Sequence, residues 1–270
     1  MAGISFIITT SGEDDTNCSI VVNSIIAENI PEYEIIIMGG ESTTITGPNI
    51  KHIPFNEHQF DDITIWGFKG RWISRKINLA VKASKYDIVV ISRDYIKLLP
   101  GWYQGFNEYG TDWDICLHQD LLFTGVRGIN WRIDKYPGLP RWCMIPYDLD
   151  NFTQYMIMPG GHWVAKKEVM LKYPINENLL WGMQEDTEWT RRVITTCKIK
   201  CNPACRVQYI KPKHDDPNHL VDVQTMESLN DFWNALRHWK TENLELSEHT
   251  LSLIPIVSEK IAKLEKDNNS

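Results

Sequence analysis

No run of about 18 apolar residues occurs anywhere in the 270-residue sequence, which excludes a helical membrane span of ordinary length. Basic residues are absent from positions 1–10 and the apolar stretch there is short, so this segment does not read as a secretory leader and the expectation is an intracellular, cytoplasmic protein. Lys/Arg-rich stripes are also missing and the net charge is −7, which argues against general nucleic-acid binding. An anionic ligand would need a local site. Cysteine is scarce: six residues at irregular spacing fit reduced thiols better than a disulfide framework. Cys197, Cys201 and Cys205 are evenly spaced, yet Pro203 interrupts the helix that would align them as metal ligands, so they read as structural thiols. Neither the Gly-rich dinucleotide fingerprint nor a P-loop is present, which makes a dehydrogenase or P-loop kinase a poor fit.

The composition that remains, 43% hydrophobic and 23% charged, is that of a globular protein. A chain of this size buries about 70–75% of its unfolded surface. The first half alternates strands and helices. Residues 4–9 form an apolar strand, and a helix follows with Cys18, Val21, Val22 and Ile25 on one face. Residues 34–38 form a second strand stopped by Gly39 and Gly40, residues 50–55 a weaker third, residues 72–85 a helix, and residues 87–91 a fourth strand. This order predicts an α/β fold with a mostly parallel sheet and helices on both faces. Ligands of such sheets sit beyond the carboxyl ends of the strands. Three polar loops fall there, at Thr9-Thr10-Ser11, at Gly40-Glu41 and at Arg93-Asp94-Tyr95. Together they predict a nucleotide-sized pocket.

Further along, Glu185, Asp186 and Glu188 lie between Trp181 and Trp189 at the start of a predicted helix. Acidic residues in a first turn complement the helix dipole in any protein. Here Pro159-Gly160-Gly161-His162-Trp163 precedes them, a close-backbone turn able to admit a ligand beside the carboxylates.

Taken in order, the strand ending in Thr9-Thr10, Lys76-Ile77-Asn78 in a helix, the acidic turn at Asp94, Pro100-Gly101-Trp102, Gly160-Gly161 and Gln184-Glu185-Asp186-Thr187-Glu188 resemble a GT-A-fold glycosyltransferase of the family 2 type over roughly residues 4–215. The resemblance implies transfer of a sugar from a nucleoside-diphosphate sugar, UDP-linked for choice, to a hydroxyl of a glycan, glycolipid or protein, with inversion favoured. By the same resemblance Thr9, Ser11, Gly40 and Glu41 hold the nucleoside, Lys76 lies near the nucleotide, Asp94 binds a divalent metal (manganese or magnesium) and the diphosphate, Asp186 is the catalytic base, and His214 is a late metal ligand. Glu185 is the alternative base, since the two carboxylates are neighbours.

One departure bears on the metal. The family's acidic turn carries two or three aspartates, whereas Arg93-Asp94-Tyr95 has one carboxylate. Asp94, His214 and diphosphate oxygens would suffice with water, or Arg93 would neutralise the diphosphate directly. Gly160, Gly161, His162, Trp163 and Trp181 are assigned to the sugar and acceptor pocket. Residues 121–155, with Trp131, Tyr136, Trp142 and Tyr147 and little periodicity, read as a lid or binding wall. Residues 1–222 form the expected catalytic domain and 223–270 a helical extension, in which 229–239 is an amphipathic helix and 251–264 is apolar enough to pack; a separate helical subdomain and a dimer contact explain residues 224–265 equally well. Two other classes stay open: a nucleotidyltransferase on a similar sheet, and a non-catalytic carbohydrate-binding protein.

Overall fold

The computed structural model describes residues 3–13, 15–128, 130–134, 142–147, 156–212, 220–222 and 246–268. Its centre is β1 (Ile4–Thr9), a six-residue strand buried along its whole length. Such a continuous apolar run belongs to a parallel sheet covered on both faces. β1 pairs in parallel with β2 (Tyr33–Met38) and with β6 (Ile88–Arg93), and β2 pairs in parallel with β3 (Ile50–Ile53). The two crossovers run through α1 (Asp15–Ile26) and α2 (Ile73–Ala83). Between β3 and α2 lie a 3-10 turn (Glu57–Phe60) and a short hairpin of β4 (Thr64–Ile65) and β5 (Phe68–Lys69).

Past β6 the sheet becomes mixed. After β7 (Ile96–Leu98), α3 (Trp102–Tyr109) and β8 (Ile115–Leu121), the full order is β3-β2-β1-β6-β12-β8-β13-β7. Here β12 is His162–Lys166, antiparallel to both β6 and β8, and β13 is Ile199–Tyr209, parallel to β8. The parallel sheet expected from the sequence therefore holds for β3 to β6, where helices alternate with strands.

Alternation along each strand sorts the core. Ile7, Ile36, Val89 and Ile91 face α2 and α4 (Lys167–Lys172), together with Trp163 and Trp189, while Phe6, Ile8, Ile35 and Val90 face α1 and α3. A third cluster joins Phe60, Ile65, Trp72, Leu180 and Met183 to Val257 of α6 (Glu248–Asp267), the C-terminal helix. Among the described residues no helix is long and apolar enough to cross a membrane.

Three sequence expectations change. Residues 121–155 are not one aperiodic loop: β9 (Arg132–Asp134), β10 (Trp142–Met144), β11 (Met156–Ile157) and β14 (Leu220–Asp222) form a second, four-stranded sheet. Trp131 is fully buried in the core rather than offered to a ligand. Cys201 and Cys205 lie not in an interrupted helix but in β13, whose register shifts between Asn202 and Arg206. Pro203 sits in that bulge, where its missing N–H costs no ladder bond. Both thiols are buried and free, as structural thiols should be. The predicted helix 229–239, Tyr136 and His214 lie outside the described residues.

Candidate active site

The site grows from the carboxyl ends of β1 and β6. Thr10 leaves β1 and donates its hydroxyl to Asp94 Oδ2 at 2.7 Å, while the Asp94 N–H donates to the Thr9 carbonyl at 3.3 Å. Burial raises the Asp94 pKa, and the Thr10 hydroxyl, then Lys211, Arg93 and Lys76, oppose the rise. Lys76, on α2, sits beneath. Its ammonium donates to the Thr10 carbonyl at 2.7 Å and to both Glu57 oxygens at 2.7 and 2.8 Å. Glu57 Oε1 also accepts the Gly40 N–H at 3.3 Å. A Cβ on Gly39 would stand 1.9 Å from the Thr10 carbonyl oxygen, so only glycine lets the loop after β2 close against the loop after β1.

These loops border a cleft of about 550 Å³. It brings together Thr9, Thr10, Ser11, Lys76, Arg93, Asp94, Tyr95 and Trp181 of the expected residues. Gly40 is buried against Gly12 and Glu41 is exposed outside the cleft lining. Their place is beside the nucleotide-sized space rather than in it.

The carboxylate pair opens α5 (Glu185–Val193), and the residue before it, Gln184, is left-handed at φ 58°. Glu185 is buried, with Arg93 Nη2 at 3.6 Å from its Oε1. Burial first, then the Asp186 charge, lifts its pKa to about 7, and Arg93 opposes them. Asp186 is half-buried. Its Oδ2 accepts the Gly160 N–H at 2.9 Å and its Oδ1 the Thr187 N–H at 2.8 Å. A Cβ at position 160 would come within 3.2 Å of Asp186 Oδ2, so the glycine makes room for the carboxylate. Arg93 is the hinge of the arrangement. It donates to Thr9 Oγ1 at 3.2 Å, and it lines both the cleft and the small cavity shared by Gly160, Glu185 and Asp186.

His162 and Trp163 were expected on the sugar pocket, and the structure places them inward. The His162 ring lies 3.1 Å from His118 Nδ1 and 3.3 Å from Ser92 Oγ. Since Trp102 Nε1–H also donates to His118 Nδ1 at 3.1 Å, His118 Nδ1 is an acceptor and His162 donates through Nε2. Burial holds both histidines neutral, pushing His162 down to about 3. Trp163 packs on Trp189 at 5.6 Å and borders the small cavity. Gly161 avoids Tyr209, whose hydroxyl would lie 2.9 Å from an added Cβ.

No family model and no curated protein matches the sequence. Solved structures do match the fold. A crystal structure of GalNAc-T7 with UDP, GalNAc and Mn²⁺ aligns at TM-score 0.57 and 12% identity, over 88% of this chain and 49% of that one. Residues 1–349 of S. aureus TarS align at TM-score 0.50 and 15% identity, over 98% of this chain and 73% of that one. The chain has the GT-A fold. It spans about half the length of the first of these structures.

Within this GT-A frame, several residues in and beneath the cleft escaped the sequence reading. Glu57 lies in a 3-10 turn 19 residues from Lys76, a separation that leaves no local pattern. Arg71 and Lys69 share Asp61, at 2.7 and 2.9 Å, and Lys211 places its ammonium 4.9 Å from the Tyr95 ring centre. Phe68, 47% exposed, meets Trp181 edge to face at 5.5 Å and forms one wall of the cleft. Its signal in the sequence was a pair of aromatics flanking one glycine, Trp66-Gly67-Phe68.

Proposed function

We propose that the chain is a nucleotide-sugar-dependent glycosyltransferase, with a nucleoside diphosphate, UDP for choice, in the cleft and an acceptor hydroxyl at Asp186. The observation that carries the reading is Arg93, which joins the cleft of Thr10 and Asp94 to the Glu185–Asp186 pair. A sugar hydroxyl is a weak nucleophile near neutral pH, so a carboxylate must take its proton as it attacks the anomeric carbon. Asp186 is the better base of the two, because it is half-buried whereas Glu185 is buried and held by Arg93. The new glycosidic C–O bond forms as the bond from the anomeric carbon to the diphosphate breaks, and the proton passes to Asp186. A single displacement of this kind inverts the anomeric centre.

Charge on the leaving diphosphate meets Lys211, Lys69 and Arg71, which line the cleft. Among the described residues there is no group of three or more His, Cys, Asp and Glu side chains fit to hold a metal. Asp94 alone suits a cation that shares its coordination with diphosphate oxygens rather than a self-sufficient protein site. A divalent ion there, manganese or magnesium, would neutralise leaving-group charge. Phe68 and Trp181 offer flat apolar faces suited to a sugar ring of the donor or of a glycan acceptor.

The test is turnover of radiolabelled nucleotide sugars. Release of free nucleoside diphosphate supports the proposal. Release of sugar 1-phosphate instead, or of pyrophosphate from a nucleoside triphosphate supplied with a sugar phosphate, identifies a nucleotidyltransferase, and binding of sugars with no release of any of these identifies a carbohydrate-binding protein.

A further inference from the structure

The N-terminus of α6 touches the loop that carries the carboxylate pair. Gln184 Oε1 accepts the Ser247 N–H at 2.8 Å and the Thr250 hydroxyl at 3.2 Å. Thr250 is itself buried, and its N–H caps onto Ser247 Oγ at 3.2 Å. The β4–β5 hairpin makes a second tie. Trp66 Nε1–H donates to the Gly182 carbonyl at 3.1 Å, and the Trp66 ring lies 4.9 Å from that of His249 on α6.

Two residues of this loop are left-handed, Gly182 at φ 84° and Gln184 at φ 58°. Glycine takes that conformation freely, but a residue with a Cβ is held there at a cost of about 1–2 kcal/mol. Gln184 is also the residue from which α5 springs, one position before Glu185 and two before Asp186. A change in its backbone angles therefore swings the first turn of α5 and both carboxylates. The helix does not depend on this contact to dock, because Val257 is fully buried in the cluster of Phe60, Trp72 and Leu180.

We propose that Gln184 is a positioning residue for the transfer, clamped by Ser247 and Thr250 of α6 so that the C-terminal helix fixes the placement of Asp186. The proposal rests on the glycosyltransferase reading. It makes α6 part of the active-site scaffold although α6 contributes no residue to the chemistry.

Gln184→Gly tests it from one side, keeping the left-handed backbone while removing the acceptor; Thr250→Val tests it from the other. In each, kcat for nucleoside-diphosphate release should fall by about tenfold or more, because small misplacements of a catalytic group are costly. The donor KM should stay within about twofold, and Gln184→Asn should recover part of the rate. Carboxyl NMR should also find the Glu185 titration moved down from about 7 in both variants, since a loosened turn admits water. A lower melting temperature with kcat per folded molecule and the Glu185 titration unchanged makes the contact a mere peg and overturns the proposal. If the wild-type protein turns over no nucleotide sugar, the glycosyltransferase reading fails on its own. The Glu185 titration then still decides the clamp: a downward move in both variants upholds it and an unchanged value overturns it.

Discussion

Lys76→Met separates two roles that one ammonium group has been assigned. In the structure Lys76 spends its three donors on the Thr10 carbonyl and both oxygens of Glu57, and both side chains are almost wholly inaccessible. Removing the cation leaves a buried, unpaired carboxylate, which costs about 3–5 kcal/mol. At roughly 2–3 °C per kcal/mol for a domain of this size, the melting temperature should fall by roughly 6–15 °C. Adding Glu57→Gln removes the stranded charge and keeps an acceptor for the Gly40 N–H, so the double variant should regain about half of the loss. The Thr10 carbonyl is still left without its donor, which explains why recovery is partial. Denaturant unfolding of the two single variants and the double gives the coupling directly. Additive losses, or a Lys76→Met protein within about 1 kcal/mol of wild type, would refute the buried pair. Calorimetry with UDP on the folded double variant settles the second role: affinity within about threefold of wild type, less than 1 kcal/mol, makes Lys76 a support for the loop, whereas a hundredfold loss puts its ammonium on the ligand.

The buried histidines predict acid sensitivity. Their folded-state pKa values lie below the unfolded value of about 6.5, so their contribution to stability is present above that value and is lost as pH falls. Between pH 7 and 5 His162 alone should remove about 2 kcal/mol, His118 adds to that loss, and Glu185, shifted the other way, offsets part of it. His162→Gln should therefore lose about 2 kcal/mol less than wild type over that range in denaturant unfolding, and equal losses would count against a neutral pair. Asp94→Ala should weaken UDP binding by calorimetry, and full affinity would remove the diphosphate from this turn. Chelation should abolish turnover if a divalent ion shares Asp94 with the diphosphate; undiminished turnover would leave the charge to Lys211, Lys69 and Arg71. Phe68→Ala and Trp181→Ala should raise the KM for the donor or the acceptor sugar with the melting temperature nearly unchanged, and an unaltered KM for both would remove them from the site.

The first half of the fold was legible because its strands are buried on both faces. β1, β2 and β6 each carry a run of apolar residues, broken only by Ser5 and by polar residues at a strand end, and stand out without any periodicity. β8 was missed for the opposite reason: Ile115–Leu121 contains His118 and Asp120, polar residues that are buried against partners distant in the chain, such as His162 and Trp102 for His118. The same long-range pairing hid the site's interior. Asp94 and Asp186 could be read from position, since one ends a strand and the other opens a helix. That His162 would turn inward to His118, or that Lys76 would be met by Glu57, left no trace in local spacing.

The central claim is that Asp186 takes the proton from the acceptor hydroxyl. Asp186→Asn keeps the size of the side chain and the oxygen that accepts the Gly160 or Thr187 N–H, but removes the basic charge. Initial rates of sugar transfer, measured beside donor affinity and melting temperature, should show a fall on the order of 10²–10⁴ with donor binding nearly intact, and Glu185→Gln should cost less. Transfer at the wild-type rate by the Asp186→Asn protein, with only a loss of stability of roughly 0.5–2 kcal/mol, would reduce the carboxylate to a helix cap and contradict the account.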